Sequence, residues 1–258
     1  TGDVIDAPGI WHLDNFGNKL IATIADGASF EWDSDGSTST RATLITSAPT
    51  ASRLSLVSTP DRHLVYFGTE TTIGTTSTQD DMYIRWSDQE DINTYTPTAT
   101  NTAGTQRIAD GTRIVGAIRG RDAIYVWTDN ALFIMRFVGA PFTFSFQQVG
   151  TGCGLIGKNA AVEVDGSAYW MSDNGFFRYT GKLESLACLV EDYVFDDLNT
   201  VPKQHINAGL NNLFGEVTWF YPSSSASSIN RAVTYNYMDS TAERPVWTTS
   251  SLARTAWQ

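Results

Sequence analysis

At 258 residues the chain is long enough to bury a hydrophobic core without disulfide or metal staples. With 41% hydrophobic, 12% aromatic and 17% charged residues it is neither disordered nor collagen-like, and no apolar run approaches the roughly 18 residues of a membrane span. A formal charge of -11 leaves no broad basic surface for counterion-releasing contact with phosphates, which argues against a sequence-specific DNA reader.

Taken in chain order, one pattern recurs: an aromatic and β-branched run, a turn led by aspartate, then a second aromatic run. It first occurs in LIATIADGASFEW (20–32), then in YIRWSDQEDINTY (83–95), IYVWTDNALFIMRF (124–137) and AYWMSDNGFFRYTG (168–181), with a looser copy in VTWFYPSSSASSINRAVTYNY (217–237). Each reads as a β-hairpin. Asp26-Gly27, Asp129-Asn130 and Asp173-Asn174-Gly175 are residue types that accept positive φ at tight corners, and the flanking Val, Ile, Tyr, Phe and Trp favour strands. Between the hairpins, HLVYFG (63–68), RIVGAI (113–118) and AAVEV (160–164) supply further strands. After a longer first step the turns recur roughly every 40 to 50 residues, the length of one four-stranded propeller blade.

The segment 33–53 is dense in Ser and Thr and reads as a loop insertion, as do TETTIGTTSTQDD (69–81) and YTPTATNTAGT (95–105). One helical pattern occurs, at 189–199, where Val190, Tyr193, Val194 and Leu198 share a face and Pro202 bars continuation. The expected fold is mainly β: a β-propeller of repeated four-stranded antiparallel blades, with a β-sandwich as the alternative. It occupies 1–258 as a single propeller-like domain. The chain starts at Thr1 without a methionine and reads as a piece of a longer polypeptide.

Chemistry-bearing motifs are few. GTGCGLIGKN (150–159) nearly spells a phosphate-binding loop through Gly152, Gly157 and Lys158, and Gly152, Gly154 and Gly157 also spell G-x-G-x-x-G. Such loops must open a helix whose N–H groups hold the phosphates, yet NAAVEVDGSAYW after it alternates like a strand. Asn159 also stands where a Mg²⁺-binding Ser or Thr is required. The stretch therefore reads as a connection between strands. Glu31, Asp33 and Asp35 form the best carboxylate group for glycoside hydrolysis, and DSDG resembles the start of a calcium loop whose later ligands are missing. Asp33 and Asp35 fall in a Gly/Ser turn, where aspartate ordinarily accepts backbone N–H bonds.

His12, His63 and His205 are scattered singly, so no shared metal site is legible. Cys153 and Cys188 make no C-x-x-C and read as free thiols. No nucleophile elbow appears, and PSSSASS (222–228) reads as a flexible loop. Trp86, Trp127, Trp170 and Trp219 occupy similar places in the repeat, which assigns them to the core between sheets rather than to a sugar-stacking surface. No catalytic, cofactor-binding or metal residue is assigned, and no enzymatic activity is expected.

Several runs between about Pro60 and Trp257 resemble tail structural proteins of short-tailed bacteriophages: STPDRHLVYFGTETTIGT, SDQEDINTYTPTATNTAGTQR, GAIRGRDAIYVWTDNALFIMRFVGAPFTF, GCGLIGKNAAVEVDGSAYWMSDNGFFRYTG and VEDYVFDDLN. The resemblance implies a virion component similar to the nozzle or tail tubular proteins, in which propeller domains of a homo-oligomeric ring surround a DNA-ejection channel. It implies adaptor and fibre proteins as partners, DNA only in passage, and assembly in the host bacterial cytoplasm. No cofactor is implied, and no functional residues carry over. The acidic charge agrees with this picture, since a DNA channel should repel phosphate over about a Debye length, ~10 Å. The alternative expectation is a glycan-binding or glycan-cleaving propeller of the receptor-recognition type.

Overall fold

A computed structural model describes residues 10–59 and 61–254; Pro60 and Trp257, the bounds of the phage-like stretch, lie outside the described residues. Five four-stranded antiparallel sheets follow one another along the chain. The first holds β1 (Trp11–Phe16), β2 (Lys19–Ile24), β3 (Ser29–Asp33) and β4 (Thr43–Leu44). The second holds β5 (Ser52–Val57), β6 (Leu64–Thr69), β7 (Tyr83–Trp86) and β8 (Gly104–Arg107). The third holds β9 (Ile114–Arg119), β10 (Ile124–Thr128), β11 (Ala131–Gly139) and β12 (Thr143–Thr151). The fourth holds β13 (Ala161–Val164), β14 (Ser167–Ser172), β15 (Gly175–Tyr179) and β16 (Leu183–Leu186); the fifth holds β17 (Asn207–Asn211), β18 (Glu216–Tyr221), β19 (Arg231–Asn236) and β20 (Val246–Ser250).

In every sheet the strand order is the chain order, which is the meander of a propeller blade, and the fold is a β-propeller. The described residues form two compact units, one from those up to 114 with 137–145, the other from 115–136 with 146–254.

Turn chemistry sets the registers. Asp26 takes φ +58° between β2 and β3, and Gly175 takes φ +150° where Ser172 pairs with it across the β14–β15 corner. The four hairpins predicted at Asp26, Asp129, Asp173 and 217–237 form as β2–β3, β10–β11, β14–β15 and β18–β19.

The hairpin predicted at 83–95 does not form. Its first half is β7, but β8 begins only at Gly104. Asp88 explains the difference: its Oδ1 accepts Gln89 N at 2.9 Å, Thr102 N at 2.8 Å and Thr102 Oγ1 at 2.6 Å, closing residues 88–102 into a loop. Ile92 and Tyr95 are apolar because they fill the core of the first unit beside Tyr66 and Leu64, not because they belong to a strand. The repeat frame is therefore displaced in the second sheet. Trp86 sits on a third strand, whereas Trp127, Trp170 and Trp219 sit on second strands.

The Ser/Thr-rich segment 33–53 contains the short edge strand β4 and ends in the first residues of β5. The predicted helix at 189–199 contracts to α1 (Glu191–Phe195), with Val194 buried.

In the second unit the tryptophans form the core. Trp127, Trp170 and Trp219 are all fully buried, with Trp127 packed edge-on to Trp170 at 5.3 Å and Phe176 tilted on Trp219 at 4.8 Å. Trp170 Nε1 donates to Cys153 O at 2.8 Å and Trp219 Nε1 to Ala160 O at 3.0 Å, so these two indoles fill the core and also tie the fourth and fifth sheets to the connection that leads into β13.

Candidate functional site

The glycine-rich stretch 150–159 connects β12 to β13 without any helix. Three of its N–H groups are spent on protein carbonyls: Cys153 N donates to Asn130 O at 3.0 Å, Leu155 N to Thr128 O at 3.1 Å and Ile156 N to Met171 O at 3.0 Å. A phosphate loop requires those donors to point at the ligand. Two glycines serve close backbone approach instead. A Cβ on Gly154 would stand 2.2 Å from Asp129 O, and one on Gly157 2.2 Å from Lys203 O. Lys158 is half-buried, and desolvation lowers its pKa below the usual ammonium value.

Glu31 and Asp33 line a recess of about 190 Å³ together with Trp32 and Arg41. They do not form a catalytic pair. Glu31 Oε2 is bound by Lys19 Nζ at 2.6 Å, while Asp33 accepts Asp35 N at 2.9 Å and Asn18 Nδ2 at 3.3 Å. Asp35 accepts the same Asn18 amide at 2.6 Å. The turn uses these carboxylates as local acceptors.

The three histidines stay apart. His205 Nδ1 lies 3.1 Å from Ser227 O, and His12 is partly exposed on β1. His63 is fully buried, with Nδ1 2.7 Å from Asp61 Oδ2 and Nε2 3.1 Å from Thr102 Oγ1. Ser58, Asp61 and His63 share the residue types of a hydrolase triad, but Ser58 Oγ donates to Asp61 rather than to His63, and the imidazole has no exposed face. The group is a structural clamp at the start of β6. Burial raises the Asp61 pKa, but hydrogen bonds from His63 and Ser58 outweigh it, and the net shift is downward. Cys153 is buried and Cys188 half-buried, and the two are not joined in a disulfide.

A cleft of about 480 Å³ lies in the second unit between the outer strand of the fourth sheet and the fifth sheet. Its size falls in the roughly 300–1,000 Å³ range of small-molecule sites. One wall is the β15–β16 hairpin, which turns at Gly181 with φ +94° and sets Arg178 opposite Glu184 in register. Arg178 Nε donates to Glu184 Oε2 at 2.7 Å. Burial lowers the guanidinium pKa, but the bond to Glu184 and its charge prevail, leaving it raised.

The other wall comes from β19 and the connection into β20. Tyr235 forms the floor, its ring 4.8 Å from Trp247 and 6.2 Å from Tyr169. Desolvation raises the Tyr169 pKa, while the adjacent Arg178 draws it down. Ser240 and Thr241 complete the wall; each hydroxyl accepts a backbone N–H, from Val246 at 2.8 Å and Arg244 at 3.1 Å, and so keeps its own proton to donate. Trp247 Nε1 reaches Ala187 O at 2.8 Å and pins the two walls together.

None of these cleft residues stands out in the sequence. Arg178 and Glu184 are local neighbours across a short turn, a pattern that usually marks a solvated strand pair, and Tyr235 joins them only through the packing of two sheets. Among the described residues no group of three or more His, Cys, Asp or Glu is placed to hold a metal.

Fold and site together define a β-propeller with an open, polar-lined cleft at the edge of two adjacent sheets. No protein-family model matches the chain, and no curated protein matches it. Among solved structures it is similar to apo AztD from Citrobacter koseri, with 9% identity, a TM-score of 0.43, and coverage of 93% of this chain and 75% of that one. A second AztD structure from that organism gives 9% identity, a TM-score of 0.45, and coverage of 93% and 74%. An arginine-to-alanine triple mutant of AofleA from Arthrobotrys oligospora gives 12% identity, a TM-score of 0.44, and coverage of 93% and 70%.

Proposed function

We propose that the chain is a structural component of a short-tailed bacteriophage tail, of the nozzle or tail-tube kind, which assembles with copies of itself into a ring around the DNA-ejection channel. The observation that carries this reading is the residue resemblance running from about 60 to 257, which takes in β6 to β20. Exposed apolar side chains support it: Leu213 at 81%, Phe214 at 61% and Met238 at 62% come together where the β17–β18 turn meets the end of β19. Met238 sits against Gly215, and Asn236 Nδ2 donates to Phe214 O at 3.1 Å, which holds the end of β19 beside the β17–β18 turn that carries Leu213 and Phe214. Exposed apolar side chains gathered at one edge fit contact with a neighbouring protein better than contact with water. In this role the protein works by assembly, with adaptor and fibre proteins as neighbours and DNA only passing through. Mass spectrometry of purified virions and imaging of the full-length protein test it: the chain should occur in tails and form rings.

The second reading, a glycan-binding propeller, is favoured by one observation, the cleft that brings Arg178, Glu184, Tyr235 and two free hydroxyl donors together. Paired donors and acceptors lining one cleft suit a polyhydroxylated ligand. Binding to a glycan array, lost on Arg178→Ala, tests it.

A further inference from the structure

We infer that this cleft selects saccharides carrying a carboxylate, of the uronate class; the inference rests on the glycan-binding reading and names its ligand chemistry. The charged residues lining the cleft are Arg178, Lys182 and Glu184, a local excess of one positive charge on a chain whose net charge is -11. Lys182 is exposed at the turn next to Gly181 and has no carboxylate partner among the described residues. Arg178 commits its Nε–H to Glu184 at 2.7 Å, and the planar guanidinium carries four further N–H donors. A sugar carboxylate seated between Arg178 and Lys182 gains charge-assisted hydrogen bonds from both, and the proton-bearing hydroxyls of Ser240 and Thr241 extend the donor set.

The remaining chemistry is that of a sugar. Glu184 uses Oε2 toward Arg178 and keeps Oε1 to accept ligand hydroxyls. Pro245, partly exposed at the rim, offers apolar surface to the C–H face of a pyranose ring, while Tyr235 lies buried beneath it. The net acidity of the chain does not defeat this arrangement: at physiological ionic strength charges beyond about 8 Å are largely screened, whereas the cleft cations act in contact.

The experiment is calorimetric titration of the full chain with galacturonate and glucuronate oligomers, and with the same oligomers as methyl esters. The uronates should bind and the esters bind at least about tenfold more weakly, since the ester removes the charge and leaves the sugar intact. Lys182→Glu should also weaken uronate binding about tenfold without changing the melting temperature, because the side chain is exposed and makes no internal contact that the fold uses. Equal binding of acid and ester overturns the carboxylate selectivity while the glycan reading stands. Absence of binding to every member of the panel overturns both. Unchanged uronate affinity in Lys182→Glu, or sulfate binding as tightly as the uronates, overturns the inference as well.

Discussion

Replacing Gly154 by alanine should destabilise the second unit severely, because the glycine-rich stretch is a packing junction. An added Cβ would lie 2.2 Å from Asp129 O and 2.6 Å from Asn130 N, far inside the 3.0 Å that real Cβ contacts respect. Both obstacles are backbone at the β10–β11 turn, so no rotamer change relieves them. Overpacking costs roughly 1–3 kcal/mol and a rigid obstacle takes the upper end. At about 2–4 °C per kcal/mol for a domain of this size, a 3 kcal/mol loss lowers the melting temperature by roughly 6–12 °C. Gly157→Ala, against Lys203 O at 2.2 Å, should behave alike. Gly152→Ala meets nothing within 4 Å but carries φ +69°, and should lose only about 1–2 kcal/mol. Lys158→Ala should leave the melting temperature unchanged, and calorimetry should detect no ATP binding. Scanning calorimetry of the four variants decides the matter. If Gly154→Ala melts within 1 °C of the parent, or if ATP binds and Lys158→Ala abolishes it, the packing account of this stretch is wrong.

The remaining predictions concern titratable groups. Asp61 has a native pKa below its ordinary 3.8, so its stabilising contribution is complete above that value and is lost as pH falls through the lower native one. Asp61→Asn should therefore cost about 1–3 kcal/mol at pH 7 in urea unfolding, with the gap to the parent shrinking below pH 4; a gap independent of pH contradicts the assignment. Burial pushes Tyr66 and Tyr221 up to about 12, so the neutral phenols stabilise the fold below pH 10 and that contribution disappears as pH rises through 12. Phenolate absorbance of the native protein should show a late-titrating component that Tyr66→Phe reduces, and a single transition near pH 10 would refute it. Burial likewise raises the Cys188 thiol from 9.0 to about 11. Its native alkylation rate at pH 8 should be about 100-fold below that of the unfolded chain, and equal rates would show the thiol to be freely ionised.

The sheets were legible wherever a hairpin corner carried its own chemistry. Asp26-Gly27 and Asp173-Asn174-Gly175 declare tight turns between β-rich runs, and each produced the strand pair expected. The second sheet was misread because SDQEDINTY combines an aspartate with later apolar residues, which mimics a hairpin. There Asp88 folds a loop through Thr102, and Ile92 and Tyr95 enter the core from that loop. The duty of Trp127, Trp170 and Trp219 was readable from repetition, since a position that recurs on the second strand of three successive sheets recurs in packing. The cleft was not readable. Its two walls lie more than forty residues apart in sequence, and Arg178, Lys182 and Glu184 acquire a common purpose only when β16 and the β19–β20 connection stand side by side. The carboxylates that sequence favoured, Glu31, Asp33 and Asp35, are held by Lys19 and Asn18 and serve the turn.

The central claim, that the chain belongs to a ring in a phage tail, is tested most directly by mass photometry of the purified full-length protein combined with mass spectrometry of purified virions. The account predicts closed multimers of a single size and peptides of this chain in the tail fraction. A protein that stays monomeric at micromolar concentration and is absent from virions would contradict it.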